Sequence, residues 1–434
     1  MRWSGRTAEA VAELQLAAAG SGRQRGAIHK PVWTTCAGAS RRIVERVAEG
    51  YGSNDRRRYI ALGEYMLRIL PNLLRRATVV LLAGAMSLAP FSRTQACTGI
   101  RLIAEDGAVV HARTLEFGLD LESDVLVIPR GLERTGLTPD GAPGLVYKSK
   151  YASVGANGVG LPYLFDGVNE KGLAVGTFYF PTTAGYMPYT PPDAARTLAP
   201  WQVGSWILES FANVREVRDN IAGIVVPEVI YTDWGFAPPV HYVVHDETGA
   251  SIVIEYVGGK LNVHDNPLGV MSNSPTFDWH MTNLRNYVNM SVVNAPPAKI
   301  GPLTVQPFGM GSGMLGIPGD FTPPSRFVRA AIYSASALPS ATGDEAVTQA
   351  FHILNQFDIP KGAARDHEKD EHGNVIADYT SWTSANDLKQ RRFFIRTYGN
   401  SQIRSIDLMS QDLDAKEIAV FPVEGNETFV PLTK

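Results

Sequence analysis

The sequence predicts an α+β body of antiparallel hairpins separated by helices, and three observations carry that expectation. Apolar segments flank Asp106-Gly107, the dipeptide most favoured in tight hairpin turns. A second pair, Val240 to His245 and Ser251 to Tyr256, flanks Asp246-Glu-Thr-Gly249 in the same manner. Helical apolar spacing marks four further stretches, Trp201 to Ala212, Thr276 to Asn289, Arg326 to Leu338 and Val347 to Phe357. Hairpins interleaved with helices argue against a doubly wound parallel sheet.

The chain has 434 residues, 44% hydrophobic and 19% charged, which excludes collagen, coiled coil and bulk disorder. Charge is unevenly placed. Residues 1–96 hold 15 Lys+Arg against 6 Asp+Glu, whereas residues 97–434 hold 25 against 37. An acidic body without a Lys/Arg stripe matches phosphate backbones poorly, so no nucleic-acid partner is expected.

The boundary between the two parts has the layout of a secretory signal. Met66 to Arg76 is basic, Ala77 to Ala89 is a short apolar run ended by Pro90, and Thr94 and Ala96 supply small residues at −3 and −1 from Cys97. The apolar run is too short to span a bilayer, so a cleaved signal over 66–96 and an exported, periplasmic product without a membrane anchor are expected. Residues 1–65 are Ala/Gly/Arg-rich. They are expected to be disordered if translated, and Met66 is read as the true start. Residues 97–434 then form a single domain.

Cleavage after Ala96 makes Cys97 the first residue, and a terminal cysteine carries its own base. The α-amine and thiol have ordinary pKa values near 8 and 8.5, so proton transfer between them is nearly thermoneutral and a nearby cation favours thiolate. Two other readings stay open at this point, an inert buried thiol and a lipoprotein acylated on Cys97; Thr94 and Gln95 fit the lipoprotein site poorly. With only Cys36 and Cys97, one on each side of the boundary, neither a disulfide framework nor a cysteine zinc site is expected. If Asp106-Gly107 is a two-residue loop, Glu105 faces Ala108 and Glu116 falls opposite Cys97. Arg113 then lies about three positions along, and a charge pair is delivered to the thiol.

At these residues the sequence resembles the choloylglycine hydrolases and penicillin V acylases, N-terminal cysteine enzymes that cleave linear amides. The likeness runs from Cys97-Thr-Gly-Ile-Arg101 and Ala112-Arg-Thr-Leu-Glu-Phe-Gly118 through Asn169-Glu-Lys-Gly-Leu173 and Phe180-Pro181. It continues in Ser272-Asn-Ser-Pro-Thr-Phe-Asp-Trp-His280 and Pro318-Gly-Asp-Phe-Thr-Pro-Pro-Ser-Arg-Phe327. The resemblance implies a four-layer αββα sandwich of the N-terminal nucleophile hydrolase type, with two antiparallel sheets between helical layers. By position it implies Cys97 as nucleophile, Arg113 as the cation beside it, and Glu116, where many members have Asp, as the carboxylate orienting the amine. Asn273 is implied as the oxyanion-hole amide, the backbone N–H of Tyr179 as the second donor, and Arg326 as a further active-site arginine, with Ser325 capping the helix that follows.

No cofactor or metal is implied. The implied substrate is a small amphiphilic amide such as a conjugated bile salt, penicillin V or an N-acyl homoserine lactone, with Tyr179 leaning toward the latter two. The family's tetramers imply a homotetramer. A non-catalytic, lipidated amphiphile-binding protein of the same fold is the second class of reading.

Other motifs are weak. Gly309 to Gly316 lacks the Gly-Lys-Ser/Thr of a phosphate loop. His241 and His245 lack the Glu of a zinc-protease helix and read as structural, and Asp366 to Gly373 reads as a solvated, charge-rich loop.

Overall fold

The computed structural model describes residues 97–369, 373 and 375–432; the leader and signal expected within residues 1–96 lie outside the described residues, as does 370–372 of the charge-rich stretch. The chain opens with β1 (Cys97–Ile103), β2 (Val109–Phe117), β3 (Asp124–Ile128), β4 (Glu133–Leu137) and β5 (Pro143–Lys148). Next come β6 (Ser153–Asn157), β7 (Leu164–Asn169), β8 (Leu173–Tyr179), α1 (Val203–Ser210) and α2 (Val214–Asn220). Then follow β9 (Val240–Asp246), β10 (Ser251–Val257), β11 (Lys260–Asp265), α3 (Phe277–Asn283), β12 (Ala298–Ile300) and β13 (Leu303–Val305). The last elements are α4 (Pro323–Ser336), α5 (Gly343–Leu354), β14 (Ala364–Lys369), β15 (Val375–Asp387), β16 (Arg392–Thr397), β17 (Asn400–Asp407) and β18 (Ala419–Pro422).

Among the described residues two large antiparallel sheets form. One runs β1-β2-β15-β16-β17 with β14 also on β15, and the other runs β11-β10-β9-β8-β7-β6-β3-β18. Period-2 alternation explains why both faces of the second sheet are covered. Ala174, Phe178, Val243 and Val253 point into one apolar cluster with the first sheet, while Leu173, Val175, Val244 and Ile254 point into another with α1 and α2. On the far side α4 packs on β1, and α5 packs on β1, β2 and β15. The stripe Ala346, Val347, Ala350, Phe351, Leu354 faces the sheet, and Thr342 caps that helix by accepting from the Glu345 N–H. The layers are therefore αββα, as expected.

Three local expectations change. α4 starts at Pro323, with Thr322 as N-cap and prolines at its first two positions, so Ser325 lies inside the helix and its hydroxyl bonds Asp320 instead of capping. Asp366 to Lys369 belong to β14, a strand that pairs with β15 at Ala364, Arg365 and Lys369 across an irregularity. The β1–β2 register also differs, with consequences for the site.

Candidate active site

The turn between β1 and β2 has three residues, not two. Ala104 and Ala108 close it through Ala104 N–H to Ala108 O at 2.8 Å, and Gly107 donates to Ala104 O at 3.0 Å. Gly107 takes φ +80°, the left-handed residue of a three-residue hairpin loop. Cys97 consequently faces Leu115, and Arg113 faces Gly99. One residue of slip moves a strand's whole side-chain set between faces. Cys97, Arg113 and Leu115 share the face toward the other sheet; Glu116 lies on the opposite face with Thr98 and Thr114. The expected placement of Glu116 opposite Cys97 is corrected by this register.

β1 is the edge of its sheet, and a short segment closes that edge. Gly99 and Met271 exchange both backbone bonds, at 2.8 and 3.0 Å. Two residues on, Asn273 comes level with Cys97, and its Oδ1 accepts from Cys97 N at 2.7 Å and from Arg326 Nη2 at 2.6 Å. Its Nδ2 donates to the Tyr179 carbonyl at 2.7 Å. An amide nitrogen carries two protons, so one remains for a further acceptor.

The two buried arginines differ in how they are held. Arg326 donates to Cys97 O, to Thr98 Oγ1 at 2.9 Å and to Phe321 O at 2.8 Å, besides Asn273. Arg113 donates to Thr177 O and to Thr114 O at 3.2 Å, lies 4.1 Å over the Phe178 ring, and leaves Nη2 with no hydrogen-bond partner among the described residues. Gly99 makes that stack possible, since a Cβ there would sit 2.7 Å from Phe178 Cζ.

Cys97 and Arg113 open onto an apolar pocket walled by Leu115, Phe117, Phe165, Tyr179, Trp201, Tyr231 and Trp234. Trp234 stacks on Phe117 at 5.5 Å, and Tyr179 meets Phe117 edge-on at 6.3 Å. The pocket is narrow, with about 50 Å³ of room, enough for a few waters. A free thiol, a cation with a spare donor and an apolar slot therefore lie side by side.

The family model of linear amide C–N hydrolases, choloylglycine hydrolase family, matches residues 97–421. This chain belongs to the choloylglycine hydrolase family. Like its relatives it is an amidohydrolase acting on linear amides. It is 32% identical to the bile salt hydrolase/transferase of Clostridium perfringens over 75% of this chain and 96% of that one. It is 28% identical to the penicillin V acylase of Pectobacterium atrosepticum over 69% and 77%. Among solved structures, a variant of the conjugated bile acid hydrolase of Clostridium perfringens superposes with a TM-score of 0.69 at 30% identity, covering 78% of this chain and all of that one. The penicillin V acylase of Agrobacterium tumefaciens shares the fold, with a TM-score of 0.60 at 24% identity over 75% and 91%.

In this hydrolase Cys97, Arg113, Tyr179, Asn273 and Arg326 converge, while Glu116 stands behind the sheet. Glu116 is fully buried, and its Oε1 accepts from Thr380 Oγ1 at 3.1 Å. Burial raises its carboxyl to about 7 although Arg326 opposes the shift. Asp378 is raised to about 7 by the same desolvation, again against Arg326.

Sequence reasoning missed Asp378, and it missed Asp166 on β7. Burial pushes Asp166 up, but His111 at 2.7 Å, Arg113 and Ser384 outweigh it and hold the carboxyl below its ordinary value. Asp166 is thus an anion behind Arg113. No spacing signal marks it, because strands from both sheets assemble the cluster. The pocket walls Trp201, Tyr231 and Trp234 were missed for a similar reason, being fixed by loops.

Proposed function

We propose that the hydrolase is exported, loses its leader at Ala96–Cys97, and cleaves amides of apolar acids through an acyl-enzyme on Cys97. The observation that carries this reading is the bond from Cys97 N to Asn273 Oδ1 beside a partly unbonded Arg113. A peptide nitrogen has no basic lone pair; cleavage would turn the same atom into an amine already tethered within reach of its own thiol.

The amine takes the thiol proton, and the sulfur attacks the carbonyl carbon. The oxyanion accepts from the second Asn273 Nδ2 proton and, as the resemblance implies, from the Tyr179 N–H; one such donor is commonly worth about 3–4 kcal/mol. Collapse breaks the C–N bond, and the leaving nitrogen takes the proton from the α-ammonium. Water then attacks the thioester and releases the acid and the free thiol. Glu116 acts from behind the sheet through Arg326, which holds Cys97 O and Asn273 Oδ1, and makes no contact with the amine.

The aromatic, apolar lining supports an apolar acyl group, with penicillin V and conjugated bile salts as the two substrates to compare. The test is release of phenoxyacetate from penicillin V beside release of glycine and taurine from bile salts, with a mass-verified N-terminal Cys97 and Cys97→Ala as control. Turnover of penicillin V lost in the variant supports the reading. A diacylglyceryl adduct on Cys97, or turnover that survives Cys97→Ala, overturns it. Self-association into a homotetramer is supported by exposed apolar residues concentrated between α3 and α4, including Val292, Ile300, Phe308 and Leu315. Sedimentation of the full chain tests it, and a monomer at micromolar concentration overturns it.

A further inference from the structure

We propose that His241 and His280 are positioning residues for the amide cleavage described above, each fixing one side of the segment that carries Asn273. The two imidazoles hold consecutive carbonyls. A carbonyl oxygen only accepts, so His241 Nε2 donates to Ser272 O at 3.0 Å and His280 Nε2 donates to Asn273 O at 2.8 Å. Each ring also lies flat on a phenylalanine that follows another site residue in the chain. His241 stacks on Phe180, next to Tyr179, at 4.0 Å and 14°, and His280 stacks on Phe327, next to Arg326, at 4.6 Å and 11°. Both rings are buried. Two side chains thereby tie together the three segments that bear Tyr179, Asn273 and Arg326.

The surroundings fit that task. His280 is kept neutral by burial, with its ring titrating at about 4, so one tautomer serves, and its Nδ1 makes no hydrogen bond among the described residues. Behind His241 stands the buried Glu255, whose Oε1 meets His241 Nδ1 at 3.2 Å and accepts from Phe277 N at 3.0 Å, anchoring the ring to the start of α3. Burial raises the Glu255 carboxyl, but hydrogen bonds to His241 and His264 outweigh it and leave it at about 2. The Asn273 amide serves Cys97, Arg326 and Tyr179 at once, so a displacement of its backbone spoils all three contacts together.

The test compares His280→Phe, which keeps a flat ring and deletes the donor, with His280→Gln, which keeps a donor. We expect kcat for amide hydrolysis to fall 10- to 100-fold in His280→Phe with KM within twofold and the melting temperature little changed, and to recover severalfold in His280→Gln. In an Asn273→Ala background, His280→Phe should cost less than a further twofold, because it acts through that residue. Unchanged kcat in His280→Phe, or a full multiplicative loss on top of Asn273→Ala, would overturn the proposal. His241→Phe should behave alike where it folds, and where it does not, the His280 series decides. A wild-type chain that releases amine while His280→Phe does so equally well sinks the positioning role alone. A wild-type chain that releases none sinks the hydrolytic reading and this inference with it.

Discussion

Arg113 and Arg326 lie on opposite faces of one hairpin, both fully buried, and they are built for different work. Arg326 spends its donors on Cys97 O, Thr98, Asn273 and Phe321, with Glu116 as a nearby carboxylate. Arg113 rests between the Phe178 and Trp382 rings and keeps one nitrogen unbonded beside the pocket. A saturated guanidinium is a clamp whose loss is felt by the fold. An unsaturated one is a charge awaiting a partner, and its loss is felt by the reaction.

The sharpest way to break the contrast is Arg326→Met. It leaves Glu116 and Asp378 buried without their cation, and we expect about 3–5 kcal/mol of lost stability in urea unfolding. A smaller loss would mean that the clamp is not what holds Cys97 and Asn273 together.

Next in size is a pH effect. Glu116 is raised in the folded chain, so its contribution is complete below its ordinary value of 4.5 and is lost as pH climbs through about 7. Stability should fall between these values by up to about 3 kcal/mol per such group. Glu116→Gln should flatten its share of the slope in urea titrations across pH 4–8, with Asp378 keeping the remainder.

Arg113→Met should do the reverse of Arg326→Met. We expect kcat/KM to drop about 100-fold, while the unfolding midpoint falls less than in Arg326→Met, because His111 still faces the buried Asp166. The smallest effect belongs to the turn. Gly107→Ala meets no neighbour but forces a side chain into the left-handed region, costing about 1 kcal/mol with activity within twofold. Lost activity there would show that the turn, rather than the buried faces, keeps Arg113 and Glu116 on their separate sides.

Much of the fold was legible. Asp106-Gly107 and Asp246 to Gly249 marked hairpins that the structure contains, and all four helical stretches hold helices; three have a 3₁₀ turn at one end, while α4 starts earlier, at Pro323, and has none. The register was not legible, because the same dipeptide closes two- and three-residue loops, and only the pairing of both faces chooses between them. That single residue separates Glu116 from the thiol. Asn273 could be named only by resemblance, and its acceptor role toward Cys97 could not be read at all, since it arises from an edge bridge between Gly99 and Met271 far apart in sequence. His241 stands out in the sequence only as a strand histidine with a structural reading; nothing in its spacing points to the carbonyl of Ser272.

The bare backbone at Gly99 has a practical consequence for engineering. It seats the Phe178 ring on which Arg113 rests, while one side of the pocket wall is carried by separate loops around Tyr231 and Trp234. A library that varies those loop residues and leaves position 99 alone therefore reshapes one side of the pocket while keeping the Arg113 stack in place.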